Sequence, residues 1–329
     1  MADRAQRLIA EMTATAQGLG EDGVSIGDLK IVNAALRELR SAFKLFAPYR
    51  HIRKVSTFGS ARSRAGDPTF RLAEQFARRI ADAGFMVITG AGGGIMEACQ
   101  RGAGRERSFG VNITLPFEQQ PNPVIHGDAK LMSFKYFFTR KLFFIKEAHA
   151  VVLFPGGFGT HDEGFEVLTL LQTGKSQPMP LVLLDIPRGT YWKTWQHYVH
   201  DHLLRRGLIS EHDLALFKVT DSVEAAVNEI TSYYLIYHSA RYVRDLLVLR
   251  LQHRLSEARV AELGAEFADI TSGEGIVQRG AFPVERDDPA ILHLPRLVFR
   301  FNRANFGRLR VLIDRINTAP EHDLRAQSA

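Results

Sequence analysis

The stretch Ala150-Val151-Val152-Leu153-Phe154-Pro155-Gly156-Gly157-Phe158-Gly159-Thr160-His161-Asp162-Glu163 decides the fold. Its first five residues form a short apolar run of the kind that a strand covered on both faces requires. Pro155 and the two glycines end that run. Asp162, Glu163 and Glu166 then open a helical stretch. Strand, small-residue loop and helix in that order are the repeating unit of a parallel sheet.

The unit recurs on both sides. Val55 to Phe58, Phe85 to Thr89, Phe109 to Ile113, Leu181 to Asp185 and Phe217 to Val219 read as further strands. Helical stretches lie between most of them, such as Thr69 to Ala83 and Tyr191 to Arg205. The expected fold class is α/β: a Rossmann-like, doubly wound, mainly parallel sheet over residues 51–235. Residues 1–50 form an N-terminal helical arm, whose second helix carries Leu29, Val32, Leu36, Leu39 and Phe43 at near-helical spacing and stops before Pro48. The arm packs on the main domain or on a partner subunit. Residues 236–329 form a C-terminal α+β extension, with a long helix through Val243, Leu247, Leu251 and Leu255 and a strand from Leu294 to Phe301.

In doubly wound folds, ligands sit beyond the carboxyl ends of the strands, so the loops there carry the chemistry. Gly59-Ser60-Ala61-Arg62 follows the first strand, and Gly90-Ala91-Gly92-Gly93-Gly94 leads from the second into a helix near Ile95. Glycine-rich turns let backbone N–H groups approach an anion, and a helix N-terminus adds about half a positive charge. Neither the 90–94 loop nor the 155–160 loop has the P-loop lysine or strict GxGxxG spacing, and the 90–94 loop alone also fits a tight turn without ligand. Two such loops in one sheet favour a phosphorylated ligand.

Thr160 and Glu163 have the spacing of a helix capping box, in which Glu163 reaches back to the Thr160 backbone N–H. That place near a helix start also favours an ionised carboxylate. From Ser133 to Lys146 a helical stretch carries Phe134, Tyr136, Phe137, Phe138, Phe143 and Phe144, enough to bury it on several sides. Arg140 and Lys141 lie in its middle, either in a structural ion pair or directed at an anionic site.

Composition narrows the function. The 329 residues carry a net charge of +6, 45% hydrophobic residues and a single cysteine, Cys99, which rules out an intrachain disulfide framework. The N-terminus lacks the apolar core of a signal peptide, and no window approaches the roughly 18 to 20 apolar residues of a membrane span. A cytoplasmic protein without membrane contact is expected. Arginines concentrate at Arg296, Arg300, Arg303, Arg308, Arg310 and Arg315 without a reader motif, which argues against nucleic acid as partner. No metal-ligand cluster stands out, since His161 and Asp162 lack further ligands at a typical spacing. Nothing singles out a Schiff-base lysine, and no cofactor is expected.

Pro155 to Glu163 resembles the PGGxGTxxE signature of the LOG phosphoribohydrolases, which have often carried the label lysine decarboxylase. Thr89 to Ala98, TGAGGGIMEA, is similar to that family's glycine-rich loop and helix, and Gly110 to Gln119, GVNITLPFEQ, to the segment after its third strand. The resemblance covers roughly residues 53–185. It implies hydrolysis of the N-glycosidic bond of a nucleoside 5′-monophosphate, AMP or a cytokinin ribotide, to free base and ribose 5-phosphate. It also implies a homodimer or higher homo-oligomer. Matched to the motifs, Glu163 and Arg140 are the catalytic pair, although Phe137-Phe138-Thr139-Arg140-Lys141 stands where the family has MHxRK. Gly156, Gly157, Gly159 and Thr160 would hold the phosphate. Gly92, Gly93, Gly94, Met96, Ser60 and Lys141 would border phosphate, ribose or base. A non-catalytic nucleotide sensor or carrier is the alternative that the same loops allow.

Overall fold

The computed structural model describes residues 2–115, 120–286 and 288–318. The end of the GVNITLPFEQ stretch, residues 116–119, lies outside them.

The arm consists of α1 (Ala2–Glu21) and α2 (Ile26–Phe46). Ser25 starts α2 with a capping box: its Oγ accepts from Asp28 N at 3.1 Å, and Asp28 accepts from Ser25 N at 3.3 Å. The end of α2 docks on the main domain, where the Phe46 ring stacks on Phe109 at 4.6 Å between centroids.

Seven parallel strands follow: β1 (Lys54–Phe58), β2 (Met86–Thr89), β3 (Ser108–Ile113), β4 (Leu131–Phe134), β5 (Ala150–Leu153), β6 (Leu181–Leu184) and β7 (Lys218–Thr220). Their spatial order is β4-β3-β2-β1-β5-β6-β7. The chain winds outward one way through β4, then returns to the centre at β5 and winds the other way. The order therefore reverses between β1 and β5, and a crevice opens there.

The connecting helices are α3 (Pro68–Asp82), α4 (Ile95–Ala103), α5 (Phe137–Lys146), α6 (Phe158–Gln172), α7 (Tyr191–Tyr198) and α8 (Val223–Ser232). Alternation along the strands builds a core on each face. Ala150 and Val152 pack towards α3, α4 and α8, while Val151 and Leu153 pack towards α5, α6 and α7. All four are buried. Burial on both faces explains the continuous apolar run that the sequence shows.

A second, antiparallel sheet, in the order β10-β11-β9-β8, comprises β8 (Tyr237–Val243), β9 (Leu246–Leu251), β10 (Thr271–Arg279) and β11 (Arg296–Phe301), with α9 (Glu257–Glu266) and α10 (Phe306–Asn317). Here one expectation fails. Val243, Leu247, Leu251 and Leu255 do not share a helix: the first three lie on the β8–β9 hairpin. Their spacing of four suits both a helix face and the even positions of a strand. The hairpin turns at Arg244, which adopts φ +59° without a glycine or asparagine to announce it.

The arginine-rich stretch is spent on structure. Arg296 is fully buried and, with its cross-strand neighbour Arg250, grips the buried Glu285 at 3.2 and 2.7 Å. Arg308 pairs with Asp269, Arg310 with Glu229 and Asp314, Arg315 with Glu266, and Arg300 with Asp245. Arg303 lies over the Tyr242 ring. All of them but Arg303 meet a carboxylate within the fold. No described helix is long and apolar enough to cross a membrane.

Candidate active site

Two backbone hydrogen bonds tie together the loops that close the switch-point crevice. Ser60 N donates to the Pro155 carbonyl at 3.2 Å, and Ile95 N donates to the Ser60 carbonyl at 3.0 Å. The loop after β1 is thus held between the loops after β5 and β2. Its closeness demands glycine at two places. A Cβ on Gly94, whose φ is +66°, would strike the Ser60 carbonyl, and one on Gly90 would strike the Arg140 guanidinium and the Met96 sulfur.

The crevice holds about 760 Å³. Ser60, Met96, Arg140, Gly156, Gly157, Gly159, Thr160 and Glu163 all line it. Gly92, Gly93 and Gly94 do not: Gly92 and Gly94 are buried, and the turn they form supports the wall. Asn122 holds that turn by donating from Nδ2 to the carbonyls of Ala91 at 3.1 Å and Gly92 at 2.9 Å. Lys141 also stands outside the lining, behind Glu163.

Gly157 is the N-cap of α6, and no side chain caps that helix. The first helical N–H groups, on Phe158 and Gly159, have no carbonyl within the helix to meet. They adjoin the crevice, as an anion site at a helix start requires. The capping box expected of Thr160 and Glu163 does not form, because the helix begins two residues before Thr160. Thr160 sits inside the first turn and Glu163 in the second.

Glu163 is buried, with 6% of its surface exposed. Its Oε1 lies 3.8 Å from Lys141 Nζ, and its Oε2 is buried with no hydrogen-bond partner. Burial pushes its carboxyl up to about 7, opposed by Lys141 and Arg140 and assisted by Glu166 and Asp162. The lowered value expected near a helix start is thus corrected: desolvation outweighs the dipole one turn in. Lys141 is committed elsewhere, at 2.7 Å from Asp162 and 2.8 Å from Glu166. Burial would lower its ammonium, but these bonds outweigh that and raise it. A lysine held protonated in this way is the opposite of a Schiff-base nucleophile.

Arg140 reaches the crevice from the other side. Its Nε donates to the Val111 carbonyl at 2.8 Å, and its guanidinium lies over the Phe144 ring at 5.0 Å. Burial brings its pKa down to about 10, and Glu163 counteracts. On α5 the expected burial holds for Phe143 and Phe144, with Thr139 and Ile145. Phe137, Phe138 and Leu142 are 54%, 57% and 44% exposed. The stretch also begins as a strand, β4, so the helix starts at Phe137 rather than near Ser133.

Several contributors had no sequence signal. The Tyr191 hydroxyl donates to the Gly156 carbonyl at 2.5 Å and lies 2.7 Å from His161 Nε2. The hydroxyl proton is spent on Gly156, so His161 donates through Nε2. Asp185 anchors the start of α7 by accepting from Tyr191 N at 2.9 Å. Arg62 and Phe137 also line the crevice. Among the described residues no three His, Cys, Asp or Glu side chains gather as a metal site would need.

Parallel strands whose order reverses at a crevice define a Rossmann-like fold, and an uncapped helix start and a buried carboxylate border that crevice. Residues 95–230 match the model of the family described as "Possible lysine decarboxylase", and the LOG resemblance holds over this part of the chain. Over 110 residues the chain is 31% identical to the pyrimidine/purine nucleotide 5′-monophosphate nucleosidases of Escherichia coli K12 and O157:H7. That match takes in 30% of this chain and 23% of the relative, so the chain spans about a quarter of the length of those proteins.

Solved structures also align. A molybdenum cofactor binding protein from Rippkaea orientalis is 20% identical over 55% of this chain and 95% of its own, with a TM-score of 0.36. DNA processing protein A from Helicobacter pylori is 17% identical over 56% of this chain and 81% of its own, with a TM-score of 0.38. The fold assignment rests on the strand order itself.

Proposed function

We propose that the crevice hydrolyses the N-glycosidic bond of a nucleoside 5′-monophosphate, releasing free base and ribose 5-phosphate. The observation that carries this reading is Glu163: a buried carboxylate whose second oxygen has no partner, in a crevice bounded by a helix start. A buried, unpartnered polar atom is costly unless a ligand or water meets it. The similarity to nucleotide 5′-monophosphate nucleosidases supports the same substrate class.

The amides at the start of α6, with the Thr160 hydroxyl, take the 5′-phosphate. Binding energy from that remote group positions the ribose. As the bond from the anomeric carbon to the base nitrogen breaks, its electron pair leaves with the base and positive charge grows on the sugar. Glu163 in its ionised form stabilises that charge and accepts the proton of the water whose oxygen bonds to the anomeric carbon. Arg140 donates a hydrogen bond towards the departing base, whose nitrogen then takes up a proton from solvent while Glu163 gives its own proton back to solvent. A pKa of about 7 suits Glu163 to accept a proton near neutrality.

We assign the reaction to residues 51–235, with 1–50 and 236–329 as flanking arm and extension, in a cytoplasmic homo-oligomer. The exposed Phe137, Phe138 and Leu142 support subunit contact at α5. Incubation with AMP, GMP, CMP and UMP, followed by chromatography, is expected to show free base from at least one of them and none from the unphosphorylated nucleosides. Binding without base release would favour a nucleotide carrier and refute the hydrolase.

A further inference from the structure

At the opposite end of the sheet from the crevice lies a second cavity of about 640 Å³. It opens at the amino ends of β1, β5 and β6, marked by Arg53, His149 and Met179, and is closed by β8 and β9 of the antiparallel sheet. Its size falls within the range of small-ligand pockets.

Its charges do not cancel. Lys146 is paired with Glu147 at 2.6 Å, and Arg250 with Glu285 at 2.7 Å. Arg50 and Arg53 also line the cavity, and among the described residues neither meets a carboxylate. Arg53 is half-buried, its guanidinium 4.1 Å over the Tyr234 ring, whose hydroxyl is spent on the His149 carbonyl. Among the described residues the one carboxylate in the lining is Asp288. Two histidines report the surplus. His238 is held down to about 4 by burial, then by Arg53 and Arg250, and His149 to about 3 by burial, then by Lys54 and Arg53. His238 Nδ1 lies 2.9 Å from Ser239 Oγ, which itself accepts from Arg250 at 3.2 Å.

We propose that this cavity is a second anion site, separate from the catalytic crevice, which takes a small phosphate-bearing molecule between Arg50 and Arg53. Two uncompensated guanidiniums match a group with two negative charges and several oxygens, to which they bond in bidentate fashion. Burial of Arg53 strengthens the attraction by lowering the local dielectric. The site does not depend on the hydrolase reading, because none of its residues borders the crevice.

Calorimetric titration of the full chain with inorganic pyrophosphate, and in parallel with ADP, tests it. Both the wild type and Glu163→Gln are expected to bind, and Arg53→Gln and Arg50→Gln each to weaken binding by about tenfold or more, the loss of one charge-assisted bond pair. Arg50 is exposed, so its variant reads the site even if Arg53→Gln fails to fold. ADP binding more tightly than pyrophosphate would mark a nucleotide site, and equal affinity a site for the phosphate groups alone. Wild type binding neither probe, or Arg50→Gln binding both as tightly as wild type, would overturn the proposal. Base release from AMP is measured separately, so failure of this site and failure of the hydrolase are told apart.

Discussion

Lys141 Nζ stands 3.8 Å from Glu163 Oε1, but it is bonded at 2.7 and 2.8 Å to Asp162 and Glu166. The cation nearest the buried carboxylate therefore serves its neighbours first. Glu163 is left underpaired, and its pKa of about 7 follows from burial that the remaining cations do not offset.

Activity should then depend on pH around neutrality. If ionised Glu163 accepts the water proton, kcat/KM rises with pH through an apparent pKa of about 7 and levels off above it. A profile flat from pH 6 to 8 would show that this carboxyl does not govern the reaction.

The same shift has a cost in stability. The folded protein keeps the Glu163 proton up to about pH 7, whereas the unfolded chain releases it near 4.5. With respect to this group, stability is full below pH 4.5 and is lost as pH rises from 4.5 to 7. Glu163→Gln should abolish activity yet stabilise the protein at pH 8 by about 2–3 kcal/mol, and by little at pH 4.5. Denaturant melts at the two pH values check this; equal gains at both would remove titration as the cause.

Arg140 uses its Nε on the Val111 carbonyl and leaves the rest of the fork to the crevice. Lysine has a single ammonium and cannot fill both places. Arg140→Lys is expected to lower kcat/KM by about 100-fold, the scale of one lost transition-state donor. Steady-state kinetics with unchanged circular dichroism would support this; a loss below threefold would not.

Tyr191→Phe removes the hydroxyl that holds the Gly156 carbonyl and meets His161. We expect kcat/KM to fall by about fivefold, mostly through KM, because the phosphate loop loses one net hydrogen bond of about 1 kcal/mol. Substrates lacking the 5′-phosphate should not sense the change. An equal loss with both would place the defect in the fold instead.

Gly94→Ala should destabilise the chain by about 1–3 kcal/mol, since φ +66° and the nearby Ser60 carbonyl both oppose a side chain. A melting temperature equal to that of wild type would refute the close approach of the loops.

Six of the seven parallel strands could be read from the sequence: burial on both faces leaves continuous apolar runs at β5 and β6, and β-branched residues mark the other four. The seventh, Leu131–Phe134, sits at the sheet edge and merges into the aromatic stretch of α5. The crevice was legible because a glycine loop must follow a strand wherever backbones crowd. Its supports were not: Asn122, Tyr191 and Asp185 act through individual side-chain hydrogen bonds that leave no spacing pattern. The Thr160–Glu163 spacing misled because it fits a cap, and only the actual helix start at Phe158 separates the two cases. The β8–β9 hairpin was missed because its turn carries Arg244-Asp245 rather than a glycine signal.

The central claim is that amides at the start of α6 hold a phosphate so that Glu163 faces the sugar. A crystal structure of Glu163→Gln with AMP tests it most directly. The account predicts the phosphate against the N–H groups of Phe158 and Gly159, with the ribose beside residue 163. AMP bound elsewhere while this crevice stays empty would contradict it.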